Sequence, residues 1–316
     1  MRLGLSGVWM LLFGIGGGTA MAEVPNVATD IPPVQSLAAR VMVGLGEPEL
    51  IIRPGASPHG YALRPSEAAA LQRADVVFYV SSDLTPWLER MSSPLSDQAE
   101  IVELQALPGG VQHEGRHRAL FEAHEEDHDH HDADHDDGDS HDHDGHDPHG
   151  WLDPENGKLW LFAMAEVLAA QDPENAETYR RNAIAGGAEI DAAIADARAM
   201  LKPVKEAKFV VFHDAYQYFE HRFGLHSVGA ISLSDASAPG PKRVAEIRDA
   251  VRAMGVSCVF SEPQFNPGLV RTVFEGGSAR TAVLDPLGVE LTPGVGLYPA
   301  LIRGLADEMA RCLGAQ

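Results

Sequence analysis

The sequence predicts an α/β protein of two lobes, each a mainly parallel sheet flanked by helices, joined by one long linking helix. Three observations lead there. Short apolar runs alternate with helix-length segments before residue 105 and again after residue 208, the pattern of strands connected by helical crossovers. One apolar face at helical spacing runs through Ala183, Gly187, Ile190, Ile194, Ala197 and Leu201, within a segment longer than a single lobe needs. The chain has 316 residues and is 45% hydrophobic, enough for two cores of roughly 100–150 residues each. The expected divisions are a signal segment at 1–22, a first lobe at 23–171, the linking helix at 172–201 and a second lobe at 202–316.

Taken in order, Val24 to Thr29 is a strand candidate, and Pro32 and Pro33 open a helix to about Val43 that Gly44 and Gly46 follow. Leu50 to Ile52 is a short strand that leads into a turn-rich loop ending at His59. Ser66 is the expected N-cap of a helix to Arg73, with Glu67 in its first turn. Val76 to Val80 is a buried strand, Thr85-Pro86 starts a helix, and Ile101 to Leu104 is the last strand before the middle of the chain. Pro154 to about Ala170 is helical, and Asp172-Pro173 opens the linking helix, where Gly186-Gly187 allows a kink. The second lobe repeats the grammar. Strands are expected at Phe209 to Phe212, Val256 to Phe260 and Thr281 to Leu284. Helices are expected at Pro241 to Met254, at Asn266 to Glu275 and from Tyr298 to Leu313.

Residues 1–22 have the make-up of a secretory signal: Arg2, an apolar run from Leu3 to Ile15, and a small-x-small site at Ala20-Met21-Ala22. The apolar run is short for a membrane span, and no cysteine follows it to take a lipid anchor. Export places Cys258 and Cys312 in an oxidising compartment, where a disulfide closing a loop of about 55 residues is favoured over two separate buried thiols. Two distant cysteines lack the paired spacing of a thiolate zinc site.

The net charge of −22 argues against nucleic acid and anionic lipid as partners. Between Glu114 and Asp147 there are 14 acidic residues against Arg116 and Arg118, a net of −12, so over half of the excess lies in one tract. The span 113–147 is expected to be a solvated loop inside the first lobe, too long and too polar to pack. His124, His128, His130, His131, His135, His141, His143 and His146, set among carboxylates, suit weak metal binding at several points.

His59, His149, His213 and Asp285 sit in loops or at element ends, two in each lobe. Beyond the carboxyl ends of parallel strands is where such sheets bind ligands, so these four are expected to meet in the cleft between the lobes. Three imidazoles and a carboxylate make a tetrahedral set that suits Zn2+. Singly, each histidine reads more readily as a surface or hydrogen-bonded residue than as a ligand, and Asp285, followed by Pro, reads as a turn cap. Glu262, at a strand end, reads either as a carboxylate that orients a ligand or as one that satisfies a turn. Asp214, His221 and His226 are expected outside the site, and Tyr61 and Trp151 flank two of the ligands.

SPHGYALRPS (57–66), HGWLDPEN from His149, VFHDAYQYFEHRFGL from Val211, SEPQFNPG from Ser261 and LDPLG from Leu284 occur in one order across the mature chain. Together they resemble the periplasmic solute-binding proteins of zinc-uptake ABC transporters, the ZnuA type of the cluster A-I family. The resemblance implies His59, His149 and His213 as ligands, with Asp285 as fourth ligand or close neighbour. It also implies a periplasmic location, capture of Zn2+ as cargo, and delivery to a membrane permease with its cytoplasmic ATPase. Related manganese or iron binders carry a carboxylate where this chain has His213, which favours zinc and keeps manganese as the alternative metal. Some zinc members have Glu just before the first ligand histidine; here that position is Pro58. The implied protein is not an enzyme and acts as a monomer. Two other readings stay beside it: a zinc buffer or surface adhesin without transport, and a secreted zinc hydrolase. The last lacks a His-Glu-x-x-His helix and a nucleophile elbow.

Overall fold

The first sheet is built from apolar runs buried on both faces, and such strands pair in parallel when helices cover each face. The computed structural model describes residues 24–88, 99–116, 145–232, 240–264 and 279–314. In chain order the first half holds β1 (Val27–Thr29), α1 (Pro32–Val41), β2 (Glu49–Leu50), α2 (Pro65–Arg73), β3 (Val76–Tyr79) and β4 (Glu100–Glu103). Their sheet has the order β2-β1-β3-β4, and every pairing is parallel. Helices α3 (Pro154–Gln171) and α4 (Ala176–Leu201) follow. The second half holds β5 (Phe209–His213), α5 (Gln217–Phe223), β6 (Ser227–Ser232), α6 (Pro241–Met254), β7 (Cys258–Ser261), β8 (Arg280–Val283) and α7 (Leu297–Gly314). The sheet order β6-β5-β7-β8 repeats that of the first sheet, again wholly parallel.

The expected two-sheet architecture with a long helix between is present, and the differences from the sequence reading are local. Helix α2 starts at Pro65 with Arg64 as its N-cap, not Ser66. Pro65 takes the first helical position, and the Glu67 carboxylate accepts from the Arg64 amide at 2.8 Å. Sequence reading passed over α5 and β6, which lie directly beside the strand that delivers His213. Of the helix expected from Thr85-Pro86, only its start to residue 88 is described, and the helix expected at Asn266–Glu275 lies outside the described residues, as does the signal segment.

Helix α4 runs through Gly186-Gly187 without a break. These glycines serve close packing: a Cβ at Gly186 would lie 2.8 Å from Arg40 Cγ and 2.9 Å from Leu161 Cδ2. Helix α4 packs against α1, α3 and α7. One continuous apolar core includes Leu37, Phe78, Trp151, Trp160, Tyr179, Phe209 and Tyr298, so both sheets share it through the central helices. A smaller cluster, including Val210, Ile231, Val251 and Val259, fills the far face of the second sheet.

Cys258 and Cys312 form the expected disulfide, with Cα atoms 6.0 Å apart, tying β7 to α7. Among the described residues no helix is long and apolar enough to cross a membrane.

Candidate metal centre

The three histidines picked out by their positions come together. His59 lies in the loop between β2 and α2, His149 precedes a single 3-10 turn (Gly150–Leu152) ahead of α3, and His213 ends β5. Their ring centroids are 4.8 Å apart for His149 and His213, 5.5 Å for His59 and His149, and 5.8 Å for His59 and His213. One nitrogen from each ring lies within 4.8 Å of the other two. His149 and His213 are buried and His59 is half-buried. Pro58, Trp151, Glu262, Gln264 and Leu287 wall the same cleft. Imidazoles converging at this spacing are a nitrogen-rich donor set of the kind that zinc takes.

The local sequence explains the convergence. His213 is carried to the carboxyl edge of the second sheet by a wholly buried strand. His149 is held by its neighbours: its Nδ1 lies 2.7 Å from Asp147 Oδ1, and its ring is 5.3 Å from that of Trp151. The Trp151 indole in turn donates to the Pro286 carbonyl at 2.8 Å, which joins the two halves across the site. Tyr61, two residues beyond His59, donates its hydroxyl to Glu67 at 2.8 Å.

Three carboxylates stand near the imidazoles. Glu262 is buried, with Oε1 3.5 Å from His213 Nδ1. Asp147 is buried, and that burial pushes its carboxyl up to about 7 against the pull of the His149 amide and Arg116. Asp285 is half-buried and lies outside the group of mutually close ligand atoms found among the described residues. Its Oδ1 accepts from the Leu287 and Gly288 amides at 3.1 and 2.9 Å, and Oδ2 from Val289 at 2.5 Å. Burial raises its carboxyl, with these amides pulling down. Asp214 faces away, to Arg116 at 3.0 Å, and His221 and His226 are exposed.

The span expected as one structureless loop, 113–147, is ordered at both ends. Glu114 and His146 form an antiparallel bridge, the Gly115 amide donates to Gly145 (3.2 Å), and the Asp147 amide donates to His113 (2.8 Å). This stem rests on the second half of the chain. Arg116 reaches Asp214 at 3.0 Å and Glu220 at 2.9 Å, and the Tyr218 hydroxyl accepts from the His113 amide and donates to the Asp147 carbonyl. His146 is exposed on the stem; His124, His128, His130, His131, His135, His141 and His143 lie outside the described residues.

Two like parallel sheets, a shared helical layer and a three-imidazole cleft between them define a bilobed metal-binding protein. The family model for the periplasmic zinc-uptake complex component A, ZnuA, matches residues 27–312, and the chain belongs to that family. It is similar to the high-affinity zinc uptake system protein ZnuA of Paracoccus denitrificans, with 46% identity over 306 residues and 94% of each chain covered. It is likewise similar to the protein of that name from Brucella abortus, with 44% identity over 319 residues and 96% of each chain covered. The fold matches a solved structure of a ZnuA lacking residues 138–173 with zinc bound, at a TM-score of 0.74 and 22% identity, covering 93% of this chain and 99% of that one.

Proposed function

We propose that this protein captures Zn2+ in the periplasm and delivers it to a membrane permease driven by a cytoplasmic ATPase. The observation that carries this is the placing of one nitrogen each from His59, His149 and His213 within 4.8 Å of one another. Zinc is the cargo, and the protein carries out no covalent chemistry on it. The donors come from both halves of the chain, so separating the halves removes ligands from the ion and releases it. Docking on the permease supplies that separation. The three imidazoles favour zinc over manganese, which prefers carboxylate oxygen. The protein acts as a monomer, released from its signal segment near Ala22.

Asp285 is the candidate for the fourth position. Its Oδ1 is taken by two amides, so Oδ2, which accepts from Val289, is the oxygen with a lone pair to give. Glu262 is a second candidate, favoured by its place on the cleft wall beside His213. The histidine-rich tract is an accessory that gathers zinc near the cleft. Competitive titration with Zn2+ and Mn2+ tests the assignment: one tight zinc equivalent, with manganese at least 100-fold weaker, supports it. Comparing Asp285→Asn with Glu262→Gln then separates the two carboxylates, since loss of the fourth ligand weakens zinc in one variant and not the other.

A further inference from the structure

We propose that Asp147 is a positioning residue for the metal centre, which sets the tautomer and orientation of His149 and is itself held in place by the stem of the histidine-rich tract. This rests on reading the three-imidazole cluster as the zinc site. A neutral imidazole has one N–H and one lone pair, and whichever nitrogen donates leaves the other to bind a metal. Asp147 Oδ1 lies 2.7 Å from His149 Nδ1, and both side chains are buried. The acceptor there fixes the proton on Nδ1 and the lone pair on Nε2. The same oxygen accepts the His149 backbone amide at 2.9 Å, so one atom fixes both the chain and the ring of the ligand residue.

Asp147 is itself held from several sides. Its amide donates to His113 across the stem at 2.8 Å. Its carbonyl accepts from Gln105 Nε2 at 2.7 Å and from the Tyr218 hydroxyl at 3.0 Å. With the Gln217 amide turned to suit its surroundings, Gln217 donates to Asp147 Oδ2 at 3.0 Å and to the Glu114 carbonyl at 3.2 Å. Tyr218 and Gln217 belong to α5, which starts four residues beyond His213. The residue that orients a ligand of one half is therefore gripped by a helix of the other, with the base of the tract between them. A turn-forming aspartate needs only the contact to the amide two residues on. The short ring contact, inside a buried cluster, is what a metal-orienting carboxylate adds.

The test reads the tautomer and the affinity separately. In 15N-labelled, metal-free protein at pH 8, long-range proton–nitrogen correlations should place the His149 proton on Nδ1. In Asp147→Ala it should move toward Nε2, and zinc should bind about 10- to 100-fold more weakly at unchanged stoichiometry. Asp147→Asn, whose amide oxygen can still accept from Nδ1–H, should keep the tautomer and restore part of the affinity. A His149 proton on Nε2 in the unmodified protein overturns the proposal without any variant. So does an Asp147→Ala protein with unchanged tautomer, or one that binds zinc as tightly as the unmodified chain. An unmodified protein with the proton on Nδ1 but no tight zinc binding overturns the zinc reading instead.

Discussion

Arg222 and Asp153 form a two-pronged ion pair across the two halves of the protein: Nε reaches Oδ1 and Nη2 reaches Oδ2, each at 2.7 Å. Asp153 also caps α3, accepting from the Glu155 amide at 2.9 Å. The pair lies four residues beyond His149 on one side and nine beyond His213 on the other, so it bridges the two elements that carry these histidines. Breaking a fully buried pair costs about 3–5 kcal/mol. Arg222 is 25% exposed, which lowers the expected cost of Arg222→Ala to about 2 kcal/mol. Urea unfolding with an unchanged m-value measures it, and stopped-flow chelation should show faster zinc release.

Where the tract is cut should matter more than whether it is cut. Removing 117–144 leaves the stem and Asp147 in place, and the tight zinc site should stay within about threefold of the full chain. Removing 113–146 takes away His113, Arg116 and the bridge that seats Asp147, and zinc should weaken by about tenfold or more. Calorimetric titration of the two shortened proteins compares them directly. Equal affinity would show that the stem has no part in the site.

Asp30 predicts a pH dependence away from the metal. It is buried at the carboxyl edge of the first sheet, directly after β1, accepting from the Ile31 and Val80 amides at 2.8 Å each, and burial raises its carboxyl from 3.8 to about 7 against those two donors. The folded state then holds a proton that the unfolded chain has released. Between about pH 4 and pH 7 stability falls as pH rises, by up to about 1.4 kcal/mol per pH unit from this group. Asp30→Asn removes that slope. The stability difference between the two proteins, measured by denaturant titration across this range, should move steadily in favour of the variant as pH rises.

The disulfide ties the last helix to the second sheet across a separation of 54 residues. On the chain-entropy account its loss costs about 4 kcal/mol. The Arg280 guanidinium also donates to the Cys312 carbonyl at 2.8 and 2.6 Å, so α7 keeps one anchor without the sulfur bridge. A Cys258→Ser/Cys312→Ser double variant should therefore fold, melt at a markedly lower temperature and still bind one zinc.

Much of this is legible in the sequence, and what is not has physical causes. Val76–Tyr79 and Phe209–Phe212 are short apolar runs of the kind that a strand covered on both faces uses. His59 and His149 stand out because each lies in a turn-rich loop beside a regular element, and His213 because it ends an apolar strand. Helix α5 has seven residues, under two turns, too few for a period to show, although Gly224 at its end has a positive φ of 68° and marks the stop. Strand β6 reads Ser-Val-Gly-Ala-Ile-Ser and resembles a loop in composition while being buried throughout. Asp147 could not be told from 13 other acidic residues around it, because its role depends on a 2.7 Å contact that no spacing rule announces. The stem was hidden for the same reason: Gly115 and Gly145, 30 positions apart, are brought together by partners on α5 and not by a local pattern.

The most direct test is a competitive zinc titration of the protein lacking residues 117–144, beside the same protein carrying His213→Ala. The account predicts one tightly bound zinc in the first and loss of that tight phase in the second. Tight binding that disappears with residues 117–144 while His213→Ala in the full chain leaves it intact would contradict the account, and would move the functional site from the cleft to the tract.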